Sequence, residues 1–358
     1  MHKTKPVKIG SVTIGNGNPV AVQSMTKTDS RDLKSTLAQI RRLEELGCEI
    51  IRVSIPDTLA AENIKSLKKQ IHIPLVADIH YDYRLAVQSI NNGADKIRIN
   101  PGNIGSNEKL KLVVNAAKNR NIPIRIGLNS GSLPKSLNSI KSQETKFIKS
   151  AIDYIRLFES WDFDKTVISL KSTDVNTTIS AYRAISKITR YPLHLGITES
   201  GPPGYGTVKS SIGIGILLNE GIGDTIRVSL TSEPEEEVKT AYQILQVLNL
   251  RSLPYELISC PTCSRCKTQL VDIVKKLESE LQKRIAVKKI KKYNKPVKIA
   301  VMGCVVNGPG EAKHVDIGIA GGTNTGLLFM NGKPIKKIPP SRWVEEILNQ
   351  FDKLVCHT

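Results

Sequence analysis

Short runs of β-branched and other apolar residues recur along the first 250 residues, and stretches with apolar positions at helical spacing separate them. A buried strand reads as a short continuous apolar run, whereas a surface helix places apolar residues three and four positions apart. Eight runs predict strands, at 20–24, 50–54, 75–78, 96–99, 124–127, 166–170, 193–196 and 225–228. Strands that alternate with helices indicate parallel pairing.

Eight strand–helix units predict an α/β fold whose strands close into a (β/α)8 TIM-type barrel. An open, doubly wound sheet is the alternative, because periodicity alone does not show closure. The stretch 8–12 predicts a small hairpin before the first barrel strand, and the first helix is expected to start after a cap at Asp29 or Ser30. The eight-unit pattern ends near residue 250. We therefore expect a barrel domain at 1–252 and a smaller α/β domain at 253–358.

The expected strand ends carry cations, and the carboxyl ends of the strands form the catalytic face of such a barrel. Five of the eight strands end in one: Arg52, Arg98, Arg125, Lys171 and Arg227. A buried cation is costly unless it is paired. Either each cation pairs with a nearby carboxylate such as Asp78, or the set binds a polyanion. Because guanidinium groups hold phosphate oxygens through two parallel hydrogen bonds, we favour a diphosphate.

The net charge of the chain also suggests an anionic partner, but it is a weaker indication than the strand-end cations. Lys and Arg number 52 against 33 Asp and Glu, a net charge of +19. An anionic partner explains this excess, and so does a lysine-rich solvated surface. Aromatic residues are only 4% of the chain, and they do not alternate with the basic run 288–298, which argues against nucleic acid as a partner. No apolar run reaches the roughly 18 residues that span a membrane, and the N-terminus does not resemble a secretory signal. We expect a cytoplasmic protein.

Four of the six cysteines lie between 260 and 304, which indicates a metal site in the second domain. Thiolates select zinc or iron–sulfur clusters. Cys260, Cys263, Cys266 and Cys304 together would close a structural zinc site. A catalytic cluster needs one displaceable ligand, which Glu311 would supply. Spacing alone favours the two sites equally, and it leaves a zinc-stabilised nucleic-acid-binding protein or a non-redox phosphosugar enzyme as alternatives.

Two segments resemble the cluster motifs of the 4-hydroxy-3-methylbut-2-enyl diphosphate synthase family, which belongs to the methylerythritol phosphate pathway of isoprenoid synthesis. They are 260–265 (CPTCSR) and 303–312 (GCVVNGPGEA). Four barrel segments resemble the same family: 76–80 (VADIH), 98–105 (RINPGNIG), 193–199 (LHLGITE) and 220–229 (EGIGDTIRVS). The resemblance covers nearly the whole chain.

The resemblance implies an oxidoreductase that acts on a CH or CH2 group. The expected reaction is reductive ring opening and dehydration of 2-C-methyl-D-erythritol 2,4-cyclodiphosphate to 4-hydroxy-3-methylbut-2-enyl diphosphate. Flavodoxin or ferredoxin is expected to supply two electrons. The resemblance also implies a head-to-tail homodimer, in which the barrel of one copy faces the cluster of the other.

The resemblance further implies which residues carry these roles. A [4Fe–4S] cluster is expected on Cys260, Cys263, Cys304 and Glu311, which leaves Cys266 outside the set. Glu199 and Glu311 are the expected catalytic carboxylates, with Glu199 in proton transfer. Substrate contacts are expected from the five strand-end cations and from Asn100, Asn129, Thr198, Ser229 and Asn307.

Overall fold

The chain forms two compact units, Met1–Arg251 and Ser252–Thr358. The computed structural model describes residues 3–133, 137, 139–251, 254–288, 295–304, 310, 314–322 and 324–356. In that part of the chain, no helix is long and apolar enough to cross a membrane.

The first unit alternates strands and helices. Its strands are β1 (Val7–Ile9), β2 (Val12–Ile14), β3 (Ala21–Met25), β4 (Ile50–Ser54), β5 (Leu75–Ile79), β6 (Lys96–Ile99), β7 (Ile124–Asn129), β8 (Thr166–Lys171), β9 (His194–Leu195) and β10 (Thr225–Ile226). Its α-helices are α1 (Leu33–Glu45), α2 (Thr58–Lys68), α3 (Tyr83–Asn91), α4 (Asn107–Arg120), α5 (Gln143–Glu159), α6 (Val175–Ile188), α7 (Tyr205–Asn219) and α8 (Pro234–Val247).

Strands β3 to β10 form one parallel sheet in the order β8-β7-β6-β5-β4-β3-β10-β9. Its two edges meet, because Ile168 of β8 forms a parallel bridge to Leu193 and donates its amide to the carbonyl of Pro192 at 2.9 Å. The sheet is therefore a closed eight-stranded barrel. The predicted (β/α)8 fold is confirmed, and the open-sheet alternative is wrong.

The last two strands are shorter than the four residues that the sequence predicts for each. Their pairing nevertheless continues past the assigned ends, since the amide of Arg227 donates to the carbonyl of Leu195 at 3.1 Å. Helix α1 begins one residue after Asp32, whose Oδ1 accepts from the amide of Ser35 at 3.1 Å. The expected cap at Asp29 or Ser30 is therefore wrong, because the helix starts later than the first polar residues of this stretch.

The antiparallel β1–β2 hairpin closes the amino-terminal end of the barrel. Its apolar side chains form one buried cluster with residues near the starts of barrel strands: Val7, Ile9, Ile14, Ala21, Ile50, Val76 and Val167. The preceding Thr4 donates its hydroxyl to Asp224, at the start of β10, at 2.7 Å. Apolar packing thus fills this end of the barrel, while the polar strand ends lie at the other.

The second unit is a five-stranded mixed sheet with two α-helices in the described ranges. Its strands are β11 (Tyr255–Ser259), β12 (Val297–Met302), β13 (Ile317–Gly321), β14 (Gly326–Met330) and β15 (Lys333–Ile338), and its helices are α9 (Leu270–Lys288) and α10 (Trp343–Cys356). The sheet order is β11-β12-β13-β14-β15, with the first three strands parallel and the last two antiparallel. Leu277 of α9 and Phe351 of α10 share a core with Val301 of β12.

Candidate active site

Arg98, Lys171 and Arg227 lie at the carboxyl ends of barrel strands, on one rim, and Arg52 is in the middle of β4, but Arg125 is the second residue of β7, so its predicted place at a strand end is wrong. Arg52 is in β4, Arg98 in β6, Arg125 in β7, Lys171 at the end of β8, and Arg227 directly after β10. The first four are buried, and the side chain of Arg227 is 14% exposed. Burial, and then the charges of all four arginines, hold the pKa of Lys171 well below its ordinary value. The structure thus brings the five charges within range of one another.

Asp78 of β5 is the buried carboxylate nearest to the arginines of this rim. Its Oδ1 accepts from Nη1 of Arg98 at 3.0 Å, while its Oδ2 lies 3.6 Å from Nε of Arg52 and 3.6 Å from Nε2 of His80. Burial alone would raise the pKa of Asp78, but Arg52 and Arg98 hold it well below its usual range. The alternative in which each cation pairs with a nearby carboxylate therefore holds for Arg98, and it holds only in part for Arg52.

A second buried carboxylate, Glu237 of α8, faces Arg227 with Nη2 and Oε2 3.6 Å apart. Its Oε1 accepts from the amide of Leu230 at 3.0 Å and lies 3.2 Å from Nζ of Lys27. Sequence reasoning missed Glu237 because it examined strand ends. The available signal was its place on the apolar face of α8, four residues before the buried Ala241.

Four barrel cations have buried nitrogen atoms without a hydrogen-bond partner among the described residues: Nε of Arg98, Nε of Arg227, Nε and Nη1 of Arg125, and Nζ of Lys96. Arg98 and Arg227 each have a carboxylate beside them, whereas no ion pair of Arg125 or Lys96 is found among those residues. Lys96 precedes Arg98 by two residues on β6, so both point into the barrel. Burial holds the pKa of Arg125 and of Lys96 well below its ordinary value, and neighbouring arginines lower both further. Buried charges of this kind are costly without a counter-ion, which an anion would provide.

Lys171 contacts a histidine that sequence reasoning also missed. Nζ of Lys171 lies 3.2 Å from Nε2 of His194, and Nδ1 of His194 lies 2.7 Å from the hydroxyl of Thr225. Burial, and after it the charges of Arg125 and Lys171, keep the pKa of His194 well below its ordinary value. The imidazole is therefore neutral. The available signal was a polar residue in an apolar strand, but His194 is the first residue of β9 and sequence reasoning examined the carboxyl ends of the strands.

The polar residues expected to contact substrate follow the same strands. Asn100, directly after β6, is buried, and its Oδ1 accepts from the amide of Gly102 at 3.2 Å. Asn129 is the last residue of β7 and is partly buried. Thr198 and Ser229, beyond β9 and β10, are also partly buried. Glu199 is exposed and has a positive φ of 50°, a conformation that non-glycine residues rarely adopt.

The cysteines of the second unit lie at the ends of two neighbouring parallel strands. Cys260 directly follows β11, and Cys304 lies two residues beyond β12, to which β11 is paired. The amide of Gly303 donates to Sγ of Cys260 at 3.3 Å. A Cβ atom at position 303 would lie 2.5 Å from Sγ of Cys266, so this approach requires glycine. Cys260 and Cys266 form no disulfide in the part of the chain that the structure describes.

Cys263 and Cys266 lie on the turn after Cys260. The amide of Cys266 donates to the carbonyl of Cys263 at 2.9 Å, and Cys263 is exposed. Sγ of Cys266 instead donates to the carbonyl of Thr268 at 3.3 Å. The predicted ligand Glu311 and the predicted substrate contact Asn307 lie outside the described residues. Among those that are described, no three potential ligands converge as a site for a single metal ion.

A cluster differs from a single ion, because each protein ligand of a four-iron cluster binds a different iron atom. The cysteine sulfur atoms of such a site therefore lie around the cluster and do not converge on one metal ion. Thiolate donors and an amide hydrogen bond to sulfur are both typical of iron–sulfur sites. The cysteines of the second unit fit such a group in their chemistry.

Comparison with known proteins matches both units to one family. The model described as "GcpE TIM-barrel domain" matches residues 4–242, and "GcpE protein C-terminal domain" matches residues 256–353. Two similar relatives are each named 4-hydroxy-3-methylbut-2-en-1-yl diphosphate synthase (flavodoxin). The one from Caldanaerobacter subterraneus is 54% identical over 98% of this chain and 97% of its own. The one from Lysinibacillus sphaericus is 50% identical over 99% of this chain and 93% of its own.

Solved structures support the barrel alone. Dihydropteroate synthase from Stenotrophomonas maltophilia aligns with a TM-score of 0.54 and 11% identity, covering 69% of this chain and 97% of that one. Dihydropteroate synthase from Yersinia pestis aligns with a TM-score of 0.52 and 13% identity, covering 70% of this chain and 100% of that one. None of these relatives supports the nucleic-acid-binding or the non-redox phosphosugar alternative.

Proposed function

Because the chain belongs to the GcpE family, we propose that its barrel rim binds a cyclic diphosphate and that its second unit holds the iron–sulfur cluster that reduces it. The chain catalyses the reductive ring opening and dehydration of 2-C-methyl-D-erythritol 2,4-cyclodiphosphate to 4-hydroxy-3-methylbut-2-enyl diphosphate in isoprenoid precursor synthesis. Two electrons and two protons enter, and water leaves. The electron donor is flavodoxin, as in the names of the relatives.

The diphosphate is assigned to the five cations Arg52, Arg98, Arg125, Lys171 and Arg227. The observation that carries this assignment is an excess of buried positive charge: the described rim pairs Arg52, Arg98 and Arg227 with only two carboxylates, and Arg125 with none. Guanidinium groups bind phosphate oxygens in pairs. As the carbon–oxygen bond to the diphosphate breaks, negative charge grows on the leaving oxygen, and fixed cations stabilise it.

Polar residues around the cations are assigned to the carbon skeleton of the substrate. Asn100, Asn129, Thr198 and Ser229 follow the same strand ends, and Asn307 is assigned from the family motif. Glu199 is proposed to transfer the proton that accompanies loss of the hydroxyl group as water. It directly follows Thr198 and is exposed, and it is the one carboxylate among those predicted site residues that the structure describes.

The cluster is assigned as [4Fe–4S], held by Cys260, Cys263, Cys304 and Glu311. When bound, it supplies electrons one at a time. The amide of Gly303, 3.3 Å from Sγ of Cys260, supports this assignment because hydrogen bonds to sulfur stabilise the thiolate form. Cys266 is left outside the set, since its sulfur donates to a backbone carbonyl.

Two further features complete the proposal. A head-to-tail homodimer is proposed, as the resemblance to the family implies. A cytoplasmic location is proposed, because Cys48, Cys260, Cys263 and Cys266 form no disulfide among the described residues, as expected in a reducing compartment.

The proposal is tested with protein purified without oxygen. Iron and acid-labile sulfide are measured, and the cyclic diphosphate is then supplied with reduced flavodoxin or with no donor. We expect a brown protein with about four iron atoms per chain and product only when the donor is present. A colourless protein with tightly bound zinc, or one that forms no product with the donor, would contradict the proposal.

A further inference from the structure

His194 differs from Asp78 and Glu237, the two carboxylates that pair with rim cations, because it is not an acid. Asp78 holds Arg98 and Glu237 faces Arg227, and each carboxylate offsets part of the charge that it positions. Lys171 instead contacts a buried, neutral imidazole at 3.2 Å. A neutral partner fixes the direction of the ammonium group and leaves its whole charge for an anion.

The hydrogen bonds of His194 specify one tautomer. A lysine ammonium has donors only, so Nε2 of His194 has to be the acceptor when Lys171 is charged. The ring proton then lies on Nδ1 and is donated to the hydroxyl of Thr225, 2.7 Å away. The hydroxyl of Thr225 can donate or accept, so the ammonium of Lys171 selects the tautomer, while Thr225 holds the ring through Nδ1 with Nε2 toward Lys171.

The surroundings hold the imidazole close to β8, the strand that carries Lys171. The hydroxyl of Tyr182 donates to the carbonyl of His194 and accepts from the amide of Leu170, at 3.0 Å, next to Lys171. Gly196 leaves the space that the ammonium fills, since a Cβ there would lie 2.5 Å from Nζ. A lysine side chain has several rotatable bonds, so holding it in place before an anion arrives lowers the entropy lost on binding.

We propose that His194 is a positioning residue, which presents the ammonium of Lys171 to the diphosphate through Nε2, with Thr225 holding the ring in place through Nδ1. This inference rests on the proposed function, in which Lys171 binds the diphosphate. It adds two residues, His194 and Thr225, that act through Lys171 and do not touch the substrate.

Two matched substitutions at His194 separate the two ring nitrogens. His194→Gln places an amide oxygen near the position of Nε2 and keeps an acceptor for Lys171. His194→Asn places its amide near Nδ1, keeps a contact to Thr225 and leaves Lys171 without an acceptor. Affinity for inorganic pyrophosphate is measured by calorimetry, and KM for the cyclic diphosphate by turnover. We expect the His194→Asn variant to bind pyrophosphate about tenfold more weakly than the wild type. The His194→Gln variant should lose less than about threefold. Equal losses, or a larger loss in Gln, would overturn the proposal.

A second pair tests the contact between Thr225 and the ring without altering the histidine. Thr225→Val removes the acceptor for Nδ1–H at nearly constant shape, whereas Thr225→Ser retains the hydroxyl group. With valine, the ring can turn an N–H toward the ammonium, so we expect pyrophosphate affinity to fall about fivefold or more. Serine is expected to bind as the wild type does. Equal affinities in the two variants would refute the role of Thr225, even if a His194 variant failed to fold.

Lys171→Met supplies the control for mechanism. If His194 acts through Lys171, then Asn and Gln at position 194 bind pyrophosphate within about twofold of each other in the Lys171→Met background. A purely structural effect of Asn would persist there and would refute the inference. Failure of the proposed function is distinguishable, because the wild-type protein itself would then neither bind pyrophosphate nor convert the cyclic diphosphate.

Discussion

Replacing Arg125 by methionine is expected to make the ligand-free protein more stable and to abolish its affinity for pyrophosphate. Arg125 is 1% exposed, and two of its N–H-bearing nitrogens, Nε and Nη1, have no partner in the described structure. Each unmade hydrogen bond at a buried polar group costs about 1–3 kcal/mol. Apolar replacements of buried ionic groups often stabilise proteins by about 1–4 kcal/mol.

We therefore expect a gain of about 2 kcal/mol in the free energy of unfolding. In a unit of about 250 residues, this corresponds to a rise of about 4–8 °C in melting temperature. The assay is scanning calorimetry with and without inorganic pyrophosphate. At one hundred times its Kd, the ligand should stabilise the wild type by about 2.7 kcal/mol and leave the variant unchanged.

Arg98→Met is the matched control, because Arg98 is equally deep but is paired with Asp78 at 3.0 Å. Its removal leaves the buried carboxylate with weaker partners. Breaking such a pair costs about 3–5 kcal/mol, so this variant should melt well below the wild type. The reasoning would be refuted if Arg125→Met also lowered the melting temperature without ligand, since Arg125 would then be satisfied in the native barrel.

Three other outcomes are expected. Glu199→Gln should leave the iron content unchanged and abolish turnover, and normal turnover would remove Glu199 from proton transfer. Burial and the arginines disfavour the charged form of Lys171, whereas a bound anion favours it. Pyrophosphate binding should therefore take up protons and weaken as pH rises through the range in which Lys171 loses its proton; calorimetry in two buffers of different ionisation enthalpy measures this, and proton release would contradict it. Cys260→Ser should lose iron while Cys266→Ser retains it, and equal iron loss in both would place Cys266 among the ligands.

The barrel was predictable because its signals are local. Each strand is a short apolar run and each helix has its own spacing, so eight repeats indicate the architecture without knowledge of any long-range contact. Arg98, Lys171 and Arg227 were predictable at the rim for a related reason, since parallel strands bring their carboxyl ends to one rim. The cap at Asp32 was missed because several polar residues before α1 were equally suitable.

The parts of the rim that were missed depend on contacts between distant segments. Lys96 and His194 are the first residues of β6 and β9, whereas sequence reasoning examined the carboxyl ends of the strands. Glu237 comes from a helix and reaches Arg227 only once the barrel is closed. The pairing of Arg98 with Asp78 likewise follows from the neighbouring positions of β5 and β6, which sequence spacing does not give.

The hairpin that closes the amino-terminal end of the barrel also shapes the electric field of the molecule. Its cluster of Val7, Ile9 and Ile14 is apolar and excludes water from that end. Field lines from the interior cations pass poorly through such a medium and emerge mainly at the open rim. Focusing of this kind raises the association rate of an oppositely charged ligand by about 10- to 1000-fold, and added salt screens it. The hairpin, at the end of the barrel away from the chemistry, thus contributes to how fast an anionic substrate is captured.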